Sequence, residues 1–156
     1  MPVIVVGADT PLGEAVANAL GGRNGDVRAF VTDSEAAARL RRRAIKVAVG
    51  DVSDGSHIEA AALGCFTAIL IGFAAVDDRE RSFSDGPTAI VSAWLKALGD
   101  AGVRRLIWLG NTRLIDLEAA RALIAEVTMV AIEGRDNSEI SAEVVRLDDL
   151  GRLDEV

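Results

Sequence analysis

At 156 residues, half of them hydrophobic and with a formal charge of −7, the chain has the size of one compact domain. The negative balance opposes a phosphate backbone, and the basic runs at Arg39, Arg41-Arg42-Arg43 and Arg104-Arg105 carry no interleaved aromatics, so nucleic acid is not an expected partner. A single cysteine, Cys65, excludes an intramolecular disulfide or a thiolate metal cluster. No carboxylate or histidine arrangement has metal-ligand spacing, no signal-type segment opens the chain, and the longest apolar run, 66–76, is too short for a bilayer; a cytoplasmic protein is expected, with no membrane partner.

In chain order, a β-branched run at 3–7 stops at Gly7, and Gly13 follows inside an amphipathic stretch at 11–20. Strand, turn and helix with glycines at both ends of the turn is how a dinucleotide-binding unit opens, with the pyrophosphate resting on the helix N-terminus. A second strand is expected at 27–32, a helix at 34–43, a third strand at 45–50 and a helix at 57–63. The run 66–73 predicts a fourth strand, and the charged stretch Asp77-Asp78-Arg79-Glu80-Arg81 reads as a solvated loop at its carboxyl side. Ser84-Asp85-Gly86-Pro87 then starts a helix at 87–101, followed by a strand at 103–110, a helix at 116–126 and a strand at 127–132. Gly21-Gly22, Gly64 and Gly102 stand near helix ends, where left-handed caps are common. The tail 133–156 stays unassigned: Ile140, Val144, Leu147 and Leu150 fit a helix, while 142–147 also fits an edge strand. Six strands alternating with helices describe an α/β fold, a doubly wound parallel sheet of the Rossmann type in three layers, as one domain over 1–156. In the 87–101 helix, Ile90, Trp94 and Leu98 line up beside Val91 and Leu95. That apolar face is wider than one sheet contact needs, and either a homo-oligomer contact or neighbouring helices would cover it.

The turn itself, Gly7, Asp9, Thr10, Leu12 and Gly13, is the first candidate cofactor site. A full fingerprint has a glycine midway, where the backbone approaches the pyrophosphate; here Thr10 brings a Cβ, and Asp9 adds a negative charge near the helix start. Thr10 as N-cap with Pro11 in the first helical position would satisfy that start without a ligand. Thr32 and Asp33 end the second strand, where an acidic side chain can bind a ribose 2′-hydroxyl; Asp33 can equally cap the next helix.

Four landmarks together resemble the atypical short-chain dehydrogenase/reductases, within them the NmrA-like or NAD(P)H-binding group, over roughly residues 1–132. They are the glycine turn; Val27-Arg28-Ala29-Phe30-Val31-Thr32-Asp33 with Ala36-Ala37-Ala38-Arg39-Leu40; Val49-Gly50-Asp51-Val52-Ser53-Asp54 with Ile58, Ala61 and Leu63; and Ala101-Gly102-Val103-Arg104-Arg105-Leu106-Ile107-Trp108-Leu109. The resemblance implies adenine contacts at Asp51 and Val52, with Asp51 accepting from the exocyclic amine; the other reading of Asp51 is a cap on its own turn. Where NADP-using relatives carry an arginine this chain has Thr32, so of NAD and NADP the resemblance prefers NAD, and the altered turn implies that binding is weak or lost. The family's Tyr/Lys acid/base pair is missing: there is no tyrosine, and Lys46 and Lys96 precede strand five. Asn111 and Thr112 follow strand five where relatives often have serine. His57 reads as a surface or capping residue and Cys65 as packing, and no catalytic residue is assigned. Only residues 111–126 separate the last two strands, so the substrate lobe of full-length relatives is reduced or absent. The expected function is a dinucleotide sensor or regulator; the alternatives are an NAD(P)-dependent reductase of a small carbonyl compound and a cofactor-free scaffold.

Overall fold

The computed structural model describes residues 2–22, 26–84 and 86–150. Strands β1 (Val3–Val6), β2 (Val27–Val31), β3 (Lys46–Val49), β4 (Thr67–Ile71), β5 (Arg105–Leu109) and β6 (Glu126–Val130) form one parallel sheet in the order β3-β2-β1-β4-β5-β6. Growth of the sheet reverses at β1, and a crevice therefore opens at the carboxyl ends of β1 and β4. The helices are α1 (Pro11–Gly21), α2 (Ser34–Arg41), α3 (Gly55–Ala62), α4 (Phe73–Val76), α5 (Pro87–Asp100), α6 (Leu117–Leu123) and α7 (Asn137–Asp149), with a 3₁₀ turn at Thr112–Leu114. The doubly wound, three-layer expectation holds.

Pleating sends alternate side chains of each strand into two separate cores. Ile4, Val6, Phe30, Leu70, Leu106 and Trp108 face the layer holding Ile58 of α3, Trp94 of α5 and Ala120 of α6. Val3, Val5, Val31, Ile69, Ile107 and Leu109 face the layer holding Val16 of α1, Leu40 of α2 and Ile140 of α7. Every residue of β1, β4 and β5 is buried, and apart from Thr67 and Arg105, which open β4 and β5, these strands are apolar throughout, whereas β3 and β6 are edges and largely half-exposed. Among the described residues no helix is long and apolar enough to cross a membrane.

Several expectations are corrected. The fourth strand ends at Ile71; the Gly72 N–H still pairs with the Leu109 carbonyl at 2.7 Å, but the Gly72 carbonyl accepts from the Ala75 N–H at 3.0 Å and the chain coils into α4. The tail forms α7 up to Asp149: Asp136 caps it through the Glu139 N–H, and Ile140 and Val144 seal against α1. Leu150 lies beyond that helix and is exposed; positions 151–156 lie outside the described residues. Gly64 and Gly102 do take the left-handed conformation, but Gly22 is right-handed, at φ −72°. The broad apolar face of α5 is used within the chain. Ile90, Val91, Trp94, Leu95 and Leu98 are all buried, α3 and α6 pack on the helix, and Trp94 Nε1 donates to the Val52 carbonyl at 2.7 Å.

Candidate functional site

The crevice begins with the β1–α1 turn. Gly7 sits at φ +89°, and a Cβ there would lie 2.8 Å from the Ala74 Cβ; a Cβ on Gly13 would lie 2.1 Å from the Gly7 carbonyl oxygen. Both glycines are thus required by the chain's own strand-to-helix packing. Position 10 is different. Thr10 is extended (φ −87°, ψ 156°), its hydroxyl donates to the Gly7 carbonyl at 2.8 Å and accepts from the Gly13 N–H at 2.9 Å, and Pro11 follows. The capping reading of Thr10 is realised, and Leu12 is buried in the core on the α1 side of the sheet.

Asp9 does not hold a bare charge at the α1 N-terminus, and that expectation is corrected. Its carboxylate turns toward β2 and accepts from the N–H groups of Thr32 at 2.8 Å and Asp33 at 3.1 Å. Arg79 neutralises it. Nη1 donates to both Asp9 oxygens at 3.0 and 3.2 Å and to the Thr32 hydroxyl at 3.3 Å, while Nε and Nη2 grip Asp77 at 2.8 and 2.7 Å. The Arg79 and Asp9 side chains are only 10% and 4% exposed, so the pair is screened from solvent. Burial works against the Arg79 charge, but Asp77 and Asp9 outweigh it and hold the guanidinium protonated. The segment expected to be a solvated loop is therefore folded onto the crevice. Asp33, beside it, caps α2 through the Glu35 and Ala36 N–H groups.

After β3, Asp51 takes the capping role: one oxygen accepts from the Ser53 N–H and hydroxyl at 2.8 and 2.6 Å. The other accepts from the Ser82 N–H at 2.8 Å, and the Ser53 hydroxyl accepts from the Phe83 N–H at 3.0 Å. Burial pushes the Asp51 carboxyl up, yet these hydrogen bonds outweigh it and leave it below the usual carboxylate range. Val52 points into the core, fully buried. His57 packs edge-on against Phe30, ring centroids 5.0 Å apart. It leaves no space over Gly50, where a Cβ would lie 2.2 Å from its Nδ1.

The structure brings Asp9, Thr32 and Asp33 into direct contact, and residues 77–83 link them to Asp51. Arg79 and Ser82 are the residues that sequence reasoning missed; the charged run was visible, but its partners lie far away in sequence. Two spaces stay open along the crevice. One, of about 400 Å³, is lined by Asp9, Thr10, Pro11, Leu12, Phe73, Asp77 and Asn137 at the α1 N-terminus. The other, of about 480 Å³, lies beyond β5 and β6 and is lined by Phe73, Gly110, Asn111, Thr112, Ala131, Ile132 and Glu133. The first opens at the α1 N-terminus, the end at which a doubly wound fold takes a pyrophosphate, while residues 77–83 lie over the ends of β1 and β2 and reach Asp51 beyond β3. Cys65 is buried away from these spaces, and that burial pushes its thiol up.

Residues 7–139 match the family described as NAD(P)H-binding. No curated protein matches the sequence. Among solved structures, ChuY, an anaerobillin reductase from Escherichia coli O157:H7, is 14% identical at a TM-score of 0.69, over 98% of this chain and 93% of that one. A putative NAD-dependent epimerase/dehydratase from Bacillus halodurans is 13% identical at 0.70, over 96% and 88%. The NADPH-dependent quinone oxidoreductase QOR2 of Escherichia coli, solved with NADPH, is 20% identical at 0.58; the chain spans 44% of its length. At such identities the likeness is one of fold.

Proposed function

The chain belongs to the NAD(P)H-binding family, and from that premise we propose that it binds a nicotinamide dinucleotide as a cytoplasmic sensor or regulator and does not turn over a substrate. The observation that carries this is the lining of the cavity beyond β5 and β6: Asn111, Thr112 and Glu133 supply its polar groups, and no tyrosine or lysine is among them. NAD is the favoured cofactor. The guanidinium that reaches Thr32 is already neutralised by Asp9 and Asp77, so its charge is not available to a 2′-phosphate. Binding is weak, because Thr10 places its Cβ where the backbone would approach the pyrophosphate.

A reductase is the second reading. Glu133, a titratable group in the same cavity as Thr112, favours it, and a fold neighbour of nearly the same length is named a reductase.

Thermal melting with NAD, NADH, NADP and NADPH, paired with a reduction assay on aldehydes, ketones and quinones, separates these readings. A ligand at about 100 times its dissociation constant adds about 2.7 kcal/mol, about 5–10 °C for a domain of this size. A shift with NADH and no turnover is expected. Turnover near the enzyme median of about 10 per second would establish the reductase, and no shift with any dinucleotide would leave a scaffold.

A further inference from the structure

We propose that residues 77–83 form a strap that occupies the adenosine half of the crevice and must be displaced before a dinucleotide can lie across it. The inference rests on the dinucleotide-binding reading and adds its regulation.

In a doubly wound sheet of this order the ligand crosses the carboxyl ends of the strands, with its pyrophosphate at α1 and the adenosine ribose beyond β2. The Arg79 guanidinium lies on Asp9 and Thr32, at the ends of β1 and β2, within 3.3 Å of both. Three residues further on, the strap is pinned beyond β3 by the Ser82 N–H on Asp51 and the Phe83 N–H on Ser53. Arg81 holds the strap's own turn, donating to the Ala74 carbonyl at 2.8 Å and to Asp77 at 2.7 Å. A ribose beyond β2 and this guanidinium cannot share the space.

The anchoring is polar throughout. Phe83, the one large apolar residue of the strap, is 68% exposed, so release takes no buried apolar side chain into water. Asp9, Asp77, Arg79 and Arg81 carry balanced charge. The carboxylates that hold the strap are acceptors, and a ligand's hydroxyl and amino donors can take over the places of Arg79 and Ser82. Ligand and strap therefore compete, and the apparent dissociation constant is the intrinsic one divided by the open fraction.

The test uses the whole chain. Hydrogen exchange at the Ser82 and Phe83 amides is followed with and without NADH, and NADH affinity is measured by calorimetry for the wild type, for Arg79→Ala and for Ser82→Pro. Arg79→Ala removes the guanidinium and keeps the Asp9 carboxylate, which retains the Thr32 and Asp33 N–H donors; the proline removes the N–H on Asp51 and also fixes φ at position 82. The proposal expects NADH to speed exchange at both amides and each variant that folds to bind NADH at least about tenfold tighter, the gain for a strap closed more than about 90% of the time. NADH binding with those amides still protected, or unchanged affinity in the variants, overturns the strap and leaves the dinucleotide reading intact. No binding by any of the three proteins overturns both.

Discussion

Replacing Arg79 by alanine measures how firmly the crevice is closed. The side chain is 10% exposed and bridges Asp9, 4% exposed, to Asp77, 31% exposed. Removing one partner of a buried ion pair costs about 3–5 kcal/mol, because the remaining charge is left uncompensated. Both carboxylates here keep other donors: Asp9 retains the Thr32 and Asp33 N–H groups, and Asp77 retains Arg81. The low end, about 3 kcal/mol, is therefore expected, equivalent to a fall in Tm of about 6–12 °C. Urea denaturation and thermal melting at pH 7 give the value, and adding Asp9→Asn should restore about 1–2 kcal/mol, since neighbouring groups couple. High salt should leave the cost nearly unchanged, because a buried pair is poorly screened. A loss below about 0.5 kcal/mol, the value of an exposed pair, would refute the reasoning and show Arg79 to be solvated.

Gly13→Ala should cost about 3 kcal/mol or more, since its Cβ would sit 2.1 Å from the Gly7 carbonyl oxygen and a backbone atom cannot swing aside; denaturation showing less than about 1 kcal/mol would mean that the turn relaxes. Trp94→Phe deletes the donor to the buried Val52 carbonyl, and about 1–3 kcal/mol should be lost in the same assay, with a neutral result indicating that another donor reaches it. Asp51 and Asp77 both lie below the ordinary carboxylate value: burial raises each, and the hydrogen bonds from Ser53 and Ser82, or from Arg79, outweigh it. Their stabilisation is complete above about pH 4 and is lost as pH falls through the lowered native values. Urea midpoints should stay level from pH 7 to 5 as far as these groups are concerned and drop below pH 4, less steeply in Asp77→Asn. An equal acid slope in that variant would remove Asp77 from the account.

Local physics made much of this legible from sequence. β1, β4 and β5 are covered on both faces, so each is apolar except for the Thr67 and Arg105 that open β4 and β5, and the cap on α2 needs only Asp33 and the N–H groups that follow it. Asp51 was readable as a cap for the same reason, its Ser53 partner being two residues away. The tail was harder: α7 buries a narrow stripe around Ile140 and Val144, and so short a pattern also fits a strand. Asp9 illustrates the harder limit. Its position in the turn was plain, but the direction of its carboxylate depends on Arg79, which arrives from the far side of the crevice, and no spacing rule joins the two. Thr10 was legible as a cap, whereas the fact that Gly7 and Gly13 serve backbone packing emerges only from their distances to Ala74 and to each other.

The position of β1 at the centre of the sheet also bears on how the chain is made. Val3 pairs with Val27 on one side and with Thr67 on the other. During synthesis the first edge is covered early, while the second stays bare until β4 leaves the ribosome, presenting unpaired N–H and C=O groups on a wholly apolar strand. Parallel pairing across such a separation is slow, because the loop must close before any contact rewards it. A nascent chain halted before residue 67 would thus carry a sticky half-sheet, and chaperone demand should peak there and fall once β4 docks.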